Sequence, residues 1–225
     1  MNIEQILLKY RDEKNAAFVS RLIPTIDAST IIGIRSPQLH KIAKELTLNG
    51  NDEPFLNRLP HYYLEEDLIH AILLSNMKDC GKCIEKVKTF APYITNWSVC
   101  DTLHPTIFKK HHDELTSLID YCLSSPHLYT IRLGVGLLNS FCLDNEVFEP
   151  NYLTQVAHIE RNEYYIEMMQ AWYFATALAK QWDSTIHIIP LLSQSVKKKT
   201  IQKAIESKRI DDKQKSYLRS LRKQQ

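Results

Sequence analysis

The chain reads as an all-α fold of stacked helix pairs, and three observations predict it. Apolar residues recur at spacings of three and four along nearly the whole length, and no alternating strand pattern competes with them. Gly and Pro are scarce, five and nine in 225 residues, which disfavours a turn-rich β sandwich or barrel. Comparable apolar helices also return at a near-constant step. Hydrophobic residues are 44% and charged residues 24%, enough for a full core in one domain, or one continuous array of repeats, over 1–225.

The elements follow in order from their punctuation. Ser36-Pro37, Leu59-Pro60, Ser125-Pro126 and Glu149-Pro150 are expected helix starts, because Pro suits a first helical turn and the residue before it resists helix. Asn49-Gly50 and Cys80-Gly81 are expected helix ends. In 127–143, Leu128, Ile131, Val135, Leu138 and Cys142 share one face while Leu133, Leu137 and Phe141 occupy the other. A helix apolar on both sides is an inner element with neighbours before and behind. In 163–180, Tyr164, Tyr165, Met168, Met169, Trp172, Tyr173 and Leu178 form a broad apolar stripe. About a dozen helices of roughly 8–18 residues result. The inner ones begin near 61, 96, 127 and 163, a step of about 31–36 residues, which is the range of stacked helix-pair repeats. That step predicts a HEAT-like helical-repeat solenoid, an α-α superhelix whose concave surface is lined by the second helix of each pair.

No apolar run approaches the ~20 residues a bilayer crossing needs. The opening MNIEQILLKYRDEKN carries acidic residues and no apolar core before a small-residue cleavage site, so it is not read as a secretory signal. The expectation is a soluble, cytoplasmic monomer. Five cysteines, an odd number, fit a reducing compartment, with Cys100, Cys122 and Cys142 as apolar filler. Cys80-Gly-Lys-Cys83 is a single CxxC without the further ligands of a metal site or the strand-helix context of a redox motif.

The net charge of +2 hides an asymmetry. Residues 196–225 hold 11 Lys/Arg against 3 Asp/Glu, net +8, whereas 1–195 carry net −6. Charge gathered at one end suits an anionic partner, with nucleic acid the commonest, or a solvated amphipathic terminal helix.

Asn96-Trp97-Ser98-Val99-Cys100-Asp101 places Trp97 and Asp101 one above the other on a helix face. An indole beside a carboxylate receives a cation well; the alternative is a buried Trp with Asp101 capping or paired to an Arg. Pro105 follows by four and is expected to kink the helix at the carboxylate. Arg132 is the only formal charge between His127 and Asp144, so it either grips phosphate or orients Asp101, or bridges repeats structurally. Gly134 and Gly136 allow close helix contact. Trp172 is either core or functional. Asp101, Arg132 and Trp172 fall on successive inner-type helices, a register that in a solenoid brings them to one concave face. Tyr62, Tyr63, Glu65, Glu66 and Asp67 read as an acidic helix start favoured by the macrodipole as readily as acid–base groups.

Taken together, these residues resemble the DNA alkylation repair family, the AlkD-like glycosylases built from HEAT-like repeats. Ile32-Gly33-Ile34-Arg35-Ser36-Pro37 resembles the family's Gly-Ile/Val-x-x-Pro entry, and Trp97-x-x-x-Asp101-x-x-x-Pro105-Thr106 resembles its signature helix. Arg132 sits where that family places a groove arginine, Ala171-Trp172 resembles its Gly-Trp helix, and 196–209 resembles its C-terminal repeat. The resemblance implies excision of positively charged N3- or N7-alkylated purines from duplex DNA without deep base flipping. It makes Asp101 the stabiliser of the oxocarbenium-like sugar and assigns Trp97 and Trp172 to the deoxyribose and cationic base. Arg132 would hold the backbone, with Lys197, Lys198, Lys199, Lys203 and Arg209 on the DNA, and no metal or organic cofactor is implied. The chain departs from the best-known branch in two places: 22–27 contains no aromatic residue, and Asn96 stands where a second tryptophan can occur. The competing expectation is a HEAT-repeat module that grips duplex or branched DNA, or RNA, without cutting a bond, and a weaker one is a protein–protein adaptor.

Overall fold

The computed structural model describes residues 3–223, so Met1 and Asn2 of the opening segment and Gln224 and Gln225 of the basic end lie outside the described residues. Among the described residues the secondary structure is helical throughout, with fourteen α-helices and no strand. The sequence expectation of an all-α fold holds. None of these helices is long and apolar enough to cross a membrane. The chain divides into two compact units, Met1–Glu114 and Leu115–Gln225.

The first unit contains α1 (Ile3–Leu8), α2 (Glu13–Leu22), α3 (Ser36–Leu48), α4 (Asp52–Leu56), α5 (Leu64–Ser75), α6 (Cys80–Phe90) and α7 (Trp97–Thr102). Within it α3 packs on α5 and α5 on α7, so every second helix stacks on the next. These three open at Ser36, Leu64 and Trp97, a nearly even step along the chain. α5 is the inner element: Ile69, Ala71, Ile72, Leu73 and Leu74 are all buried, as are Glu65 and His70. α2 is the opposite case. It buries no residue, and its ends are held by polar contacts: Asn15 donates to the Gly33 carbonyl (2.8 Å) and the Trp97 indole donates to the Leu22 carbonyl (3.1 Å).

Between α2 and α3 the chain passes through Gly33, whose φ of +90° only glycine adopts freely. A Cβ there would lie 2.2 Å from the Asp12 carbonyl oxygen, so the close approach excludes every other residue as well. The Glu65 carboxylate, at the start of α5, accepts the backbone N–H groups of Ile32 (3.0 Å), Gly33 (2.6 Å) and Ile34 (3.2 Å). Glu66 beside it accepts from the Tyr62 and Tyr63 N–H groups (3.1 Å each) in a capping box, and pairs with Arg58. The acidic cluster is therefore largely architectural.

α8 (His112–Leu123) begins in the first unit and runs into the second, which continues with α9 (Leu128–Phe141), α10 (Pro150–Ala157), α11 (Tyr164–Lys180), α12 (Trp182–Ile186), α13 (Gln194–Glu206) and α14 (Asp212–Lys223). Here α9 packs on α11, α11 on α13, and α13 on α14. α9 is buried on both faces as its sequence requires, with Ile131, Leu133, Val135, Leu137, Leu138 and Phe141 all inside. Gly134 permits close packing on α8: a Cβ would sit 2.7 Å from that of Cys122.

The inner helices expected near 61, 96, 127 and 163 begin at 64, 97, 128 and 164. Three local expectations are corrected. Leu59-Pro60 does not open a helix, since α5 starts at Leu64 with Tyr63 as its N-cap. Cys80-Gly81 opens α6 rather than ending a helix, because Asp79 is a stronger signal: its side chain accepts the Lys82 N–H (2.9 Å) as an N-cap. Pro105 does not kink a continuing helix. α7 stops at Thr102, its last turn closed by Leu103 N–H on the Val99 carbonyl (3.1 Å), and Pro105 leads into a separate 3₁₀ turn.

Candidate functional site

In the first unit the site is built on α7. Asn96 is buried and caps this helix, its Oδ1 accepting the Val99 N–H (3.1 Å), so the asparagine found in place of a possible tryptophan is explained by the helix start. Val99, Cys100 and Leu103 are buried and anchor α7, leaving Trp97 half-buried and Asp101 exposed one turn apart. The indole N–H of Trp97 on the Leu22 carbonyl fixes the ring's rotation and ties it to the end of α2. Phe18, one turn before Leu22, is 52% exposed, and Leu22 is 48% exposed. An aromatic thus does stand on this helix, one turn before the stretch 22–27 that lacks one. Its signal in the sequence is the i, i+4 pairing with Leu22.

Elsewhere in this unit, α5 and the loop before it carry a pair of histidines between two phenylalanines. His61 Nε2 lies 2.9 Å from His70 Nδ1; the His70 ring stacks on Phe90 (3.9 Å) and the His61 ring on Phe55 (4.7 Å). Burial pushes His61 down to about 4 and His70 down to about 3, so both are neutral near pH 7. Burial, reinforced by the neighbouring Glu66 charge, raises Asp67 to about 7. The Cys80 and Cys83 thiols are buried and free; burial pushes Cys83 up to about 12, and its Sγ lies on the Leu74 carbonyl (3.6 Å), a packed and unreactive setting.

In the second unit the site is built on α11 and α13. Tyr164, Met168 and Trp172 stand four residues apart on α11. Tyr164 is 59% and Trp172 47% exposed, whereas Ile166, Met169, Tyr173 and Phe174 fill the core. Trp172 therefore belongs to an open aromatic ridge. Lys203 of α13 holds its ammonium 5.1 Å from the centre of the Trp172 ring, within cation–π range.

The basic helix divides by face. Val196, Thr200, Ile201 and Ala204 are buried against the unit. Lys199 Nζ is 2.7 Å from Glu167, which also accepts from Ser195 Oγ (2.8 Å). Burial would raise the Glu167 carboxyl, but the hydrogen bonds from Lys199 and Ser195 and the lysine charge outweigh it and leave it below the usual range. Lys199 is thus committed inside the protein, Lys197 is half-buried, and Lys198 and Arg209 point to solvent. Arg132 is 4% exposed, and its Nη1 donates to the Tyr165 carbonyl (2.8 Å) in the first turn of α11. α13 and α14 with Met168 line an open cavity of about 550 Å³ whose wall includes Lys198, Lys199, Lys203, Arg222, Gln202 and Glu206.

Fold and side chains define an all-α helical-repeat protein with an acid–indole helix in one unit and an open indole beside a cation-rich helix in the other. A family model described as DNA alkylation repair enzyme matches residues 3–159, well over half of the chain, and the chain belongs to that family. Membership places it in the repair of alkylated DNA, with DNA as the substrate the family implies. The match includes α7 and Arg132 but ends before α11, so Trp172 and the basic helices lie past it. No curated protein matches the chain.

Proposed function

We propose that the protein is a DNA glycosylase of the HEAT-like type that excises positively charged N3- or N7-alkylated purines from duplex DNA. The observation that carries this reading is an exposed Asp101 one helical turn from Trp97, on the helix that lies within the family match. Alkylation at N3 or N7 makes the purine a good leaving group. When the C1′–N9 bond breaks, its electron pair passes to the purine, which departs as a neutral alkylated base and leaves an oxocarbenium-like sugar. A carboxylate beside C1′ stabilises that cation and orients a water, whose oxygen bonds to C1′ and whose proton passes to solvent. No general acid is needed, so one carboxylate suffices.

In this reading Trp97 offers its ring to the deoxyribose, with Phe18 supplying the aromatic that 22–27 lacks. In the second unit Trp172 offers an open aromatic face to a base, and Lys197, Lys198, Lys203 and Arg209 meet the backbone. Arg132 acts by positioning the first turn of α11 through the Tyr165 carbonyl, and Lys199 by holding α13 to α11 through Glu167. The bound Lys203 supports the assignment of Trp172, since a ring that holds one cation will hold another.

Incubation with methylated duplex DNA and analysis of the released bases tests the proposal. Release of 7-methylguanine or 3-methyladenine that disappears in Asp101→Asn, with duplex affinity retained, is the expected result. Tight, salt-sensitive binding without any base release would instead make the protein a non-catalytic DNA-binding module.

A further inference from the structure

Lys203 differs from the rest of α13 in what it touches. Its ammonium rests over the Trp172 ring, and among the described residues it enters no ion pair and donates no side-chain hydrogen bond. Lys199, one turn earlier, has its charge met by Glu167. Lys203 also faces the α13–α14 cavity together with Lys198 and Arg222, whose Nη1 is 3.1 Å from Gln202 Oε1. Within that wall Glu206 is the acidic residue, so Lys198, Lys203 and Arg222 leave it with excess positive charge. The cavity is large enough for a phosphodiester with its flanking sugars.

One ammonium thus stands between an indole face and an anion-seeking cavity. The ring offers a quadrupole; a phosphate offers a formal charge and hydrogen-bond acceptors, and is the stronger partner. We propose that Lys203 is a displaceable plug. In the free protein its ammonium sits over part of the ring of Trp172, which stays 47% exposed beside it. A backbone phosphate entering the cavity draws it off, and the uncovered indole accepts a nucleotide. The inference rests on the reading above that DNA is the partner and Trp172 meets the base. It adds a discrimination: a base carried on a phosphate strand finds the lysine drawn off, whereas a free cationic base, including the excised product, meets a ring over which an ammonium already stands. When the strand leaves, the lysine returns and helps to expel the base.

The test uses the whole chain with its lysines ¹³C-dimethylated, a change that keeps their charge. The Lys203 methyl signal, identified by its absence from Lys203→Met, is expected upfield under the Trp172 ring current and at the ordinary lysine position in Trp172→Leu. Saturation with a short undamaged duplex is expected to move it to the ordinary position; a signal that stays upfield overturns the proposal. Separately, Lys203→Met should lower the slope of log affinity against log salt by about one, the loss of one phosphate contact. An unchanged slope overturns it too. Lys203→Ala should bind 7-methylguanosine several-fold more tightly than the unmodified protein, and equal binding would sink the plug. Because the duplex carries no lesion, the outcomes separate: a lysine that moves without base release from methylated DNA counts against excision, whereas base release with an unmoved lysine counts against the plug.

Discussion

Asp101 and Glu65 are carboxylates on packed neighbours, α7 and α5, yet they meet opposite demands. Glu65 is buried, with three backbone N–H groups to satisfy its charge; Asp101 is exposed on the solvent side of its helix, where a molecule from outside can reach it. Glu65→Ala leaves those three donors without their acceptor and should cost about 3 kcal/mol or more, read from the denaturant midpoint. Gly33→Ala, which forces a Cβ onto the Asp12 carbonyl at a positive φ, should cost about 2–4 kcal/mol in the same assay. Asp101→Asn should slow base release by about 10²–10³-fold in single-turnover kinetics. The two carboxylates were equally visible in the sequence. What separates them is a contact between distant parts of the chain, from Glu65 back across α3 and α4 to the Gly33 loop, which no local pattern encodes.

Helix α5 joins the His61–His70 pair to the stack of inner helices, and the pair makes stability depend on pH. Folded values of about 4 and about 3 lie below the ordinary 6.5, so the unfolded chain binds more protons below pH 6.5 and stability falls as pH is lowered from there. Around the pair, Arg58 and Lys86 disfavour protonation and Glu66 favours it. Asp67 acts in the other direction: raised to about 7 from 3.8, it stabilises the fold as pH drops through that window. Two histidines against one aspartate leave a net loss, so Tm should fall between pH 7 and pH 5 and fall more steeply in Asp67→Asn. Helix starts were legible where their signals are local. The inner helices fell within three residues of the expected positions, whereas proline and glycine punctuation misled where another local signal decided: Asp79 dictates a start at Cys80-Gly81, α7 ends before Pro105, and α5 opens four residues after Pro60.

Across the molecule, charge is split between an acidic body and a basic end of net +8. Duplex binding should weaken linearly in log–log terms with salt, and Lys198→Glu with Arg209→Glu should reduce that slope by about two relative to the unmodified protein. Lys199→Glu should unfold the α11–α13 seam instead, because its charge is already spent on Glu167. That division among neighbouring lysines was illegible in VKKKTIQK, since it depends on which side of α13 meets α11. So was the placing of Lys203 on Trp172, which stands on another helix with α12 in between. A last consequence comes from α2, which contributes nothing to the apolar interior and is fastened at its two ends by Asn15 and by the Trp97 indole. Its amides should exchange with deuterated solvent well before those of α5, and Trp97→Phe should quicken them further without loosening α3. The ring proposed to face the damaged nucleotide is thereby also what fastens the end of α2 to α7.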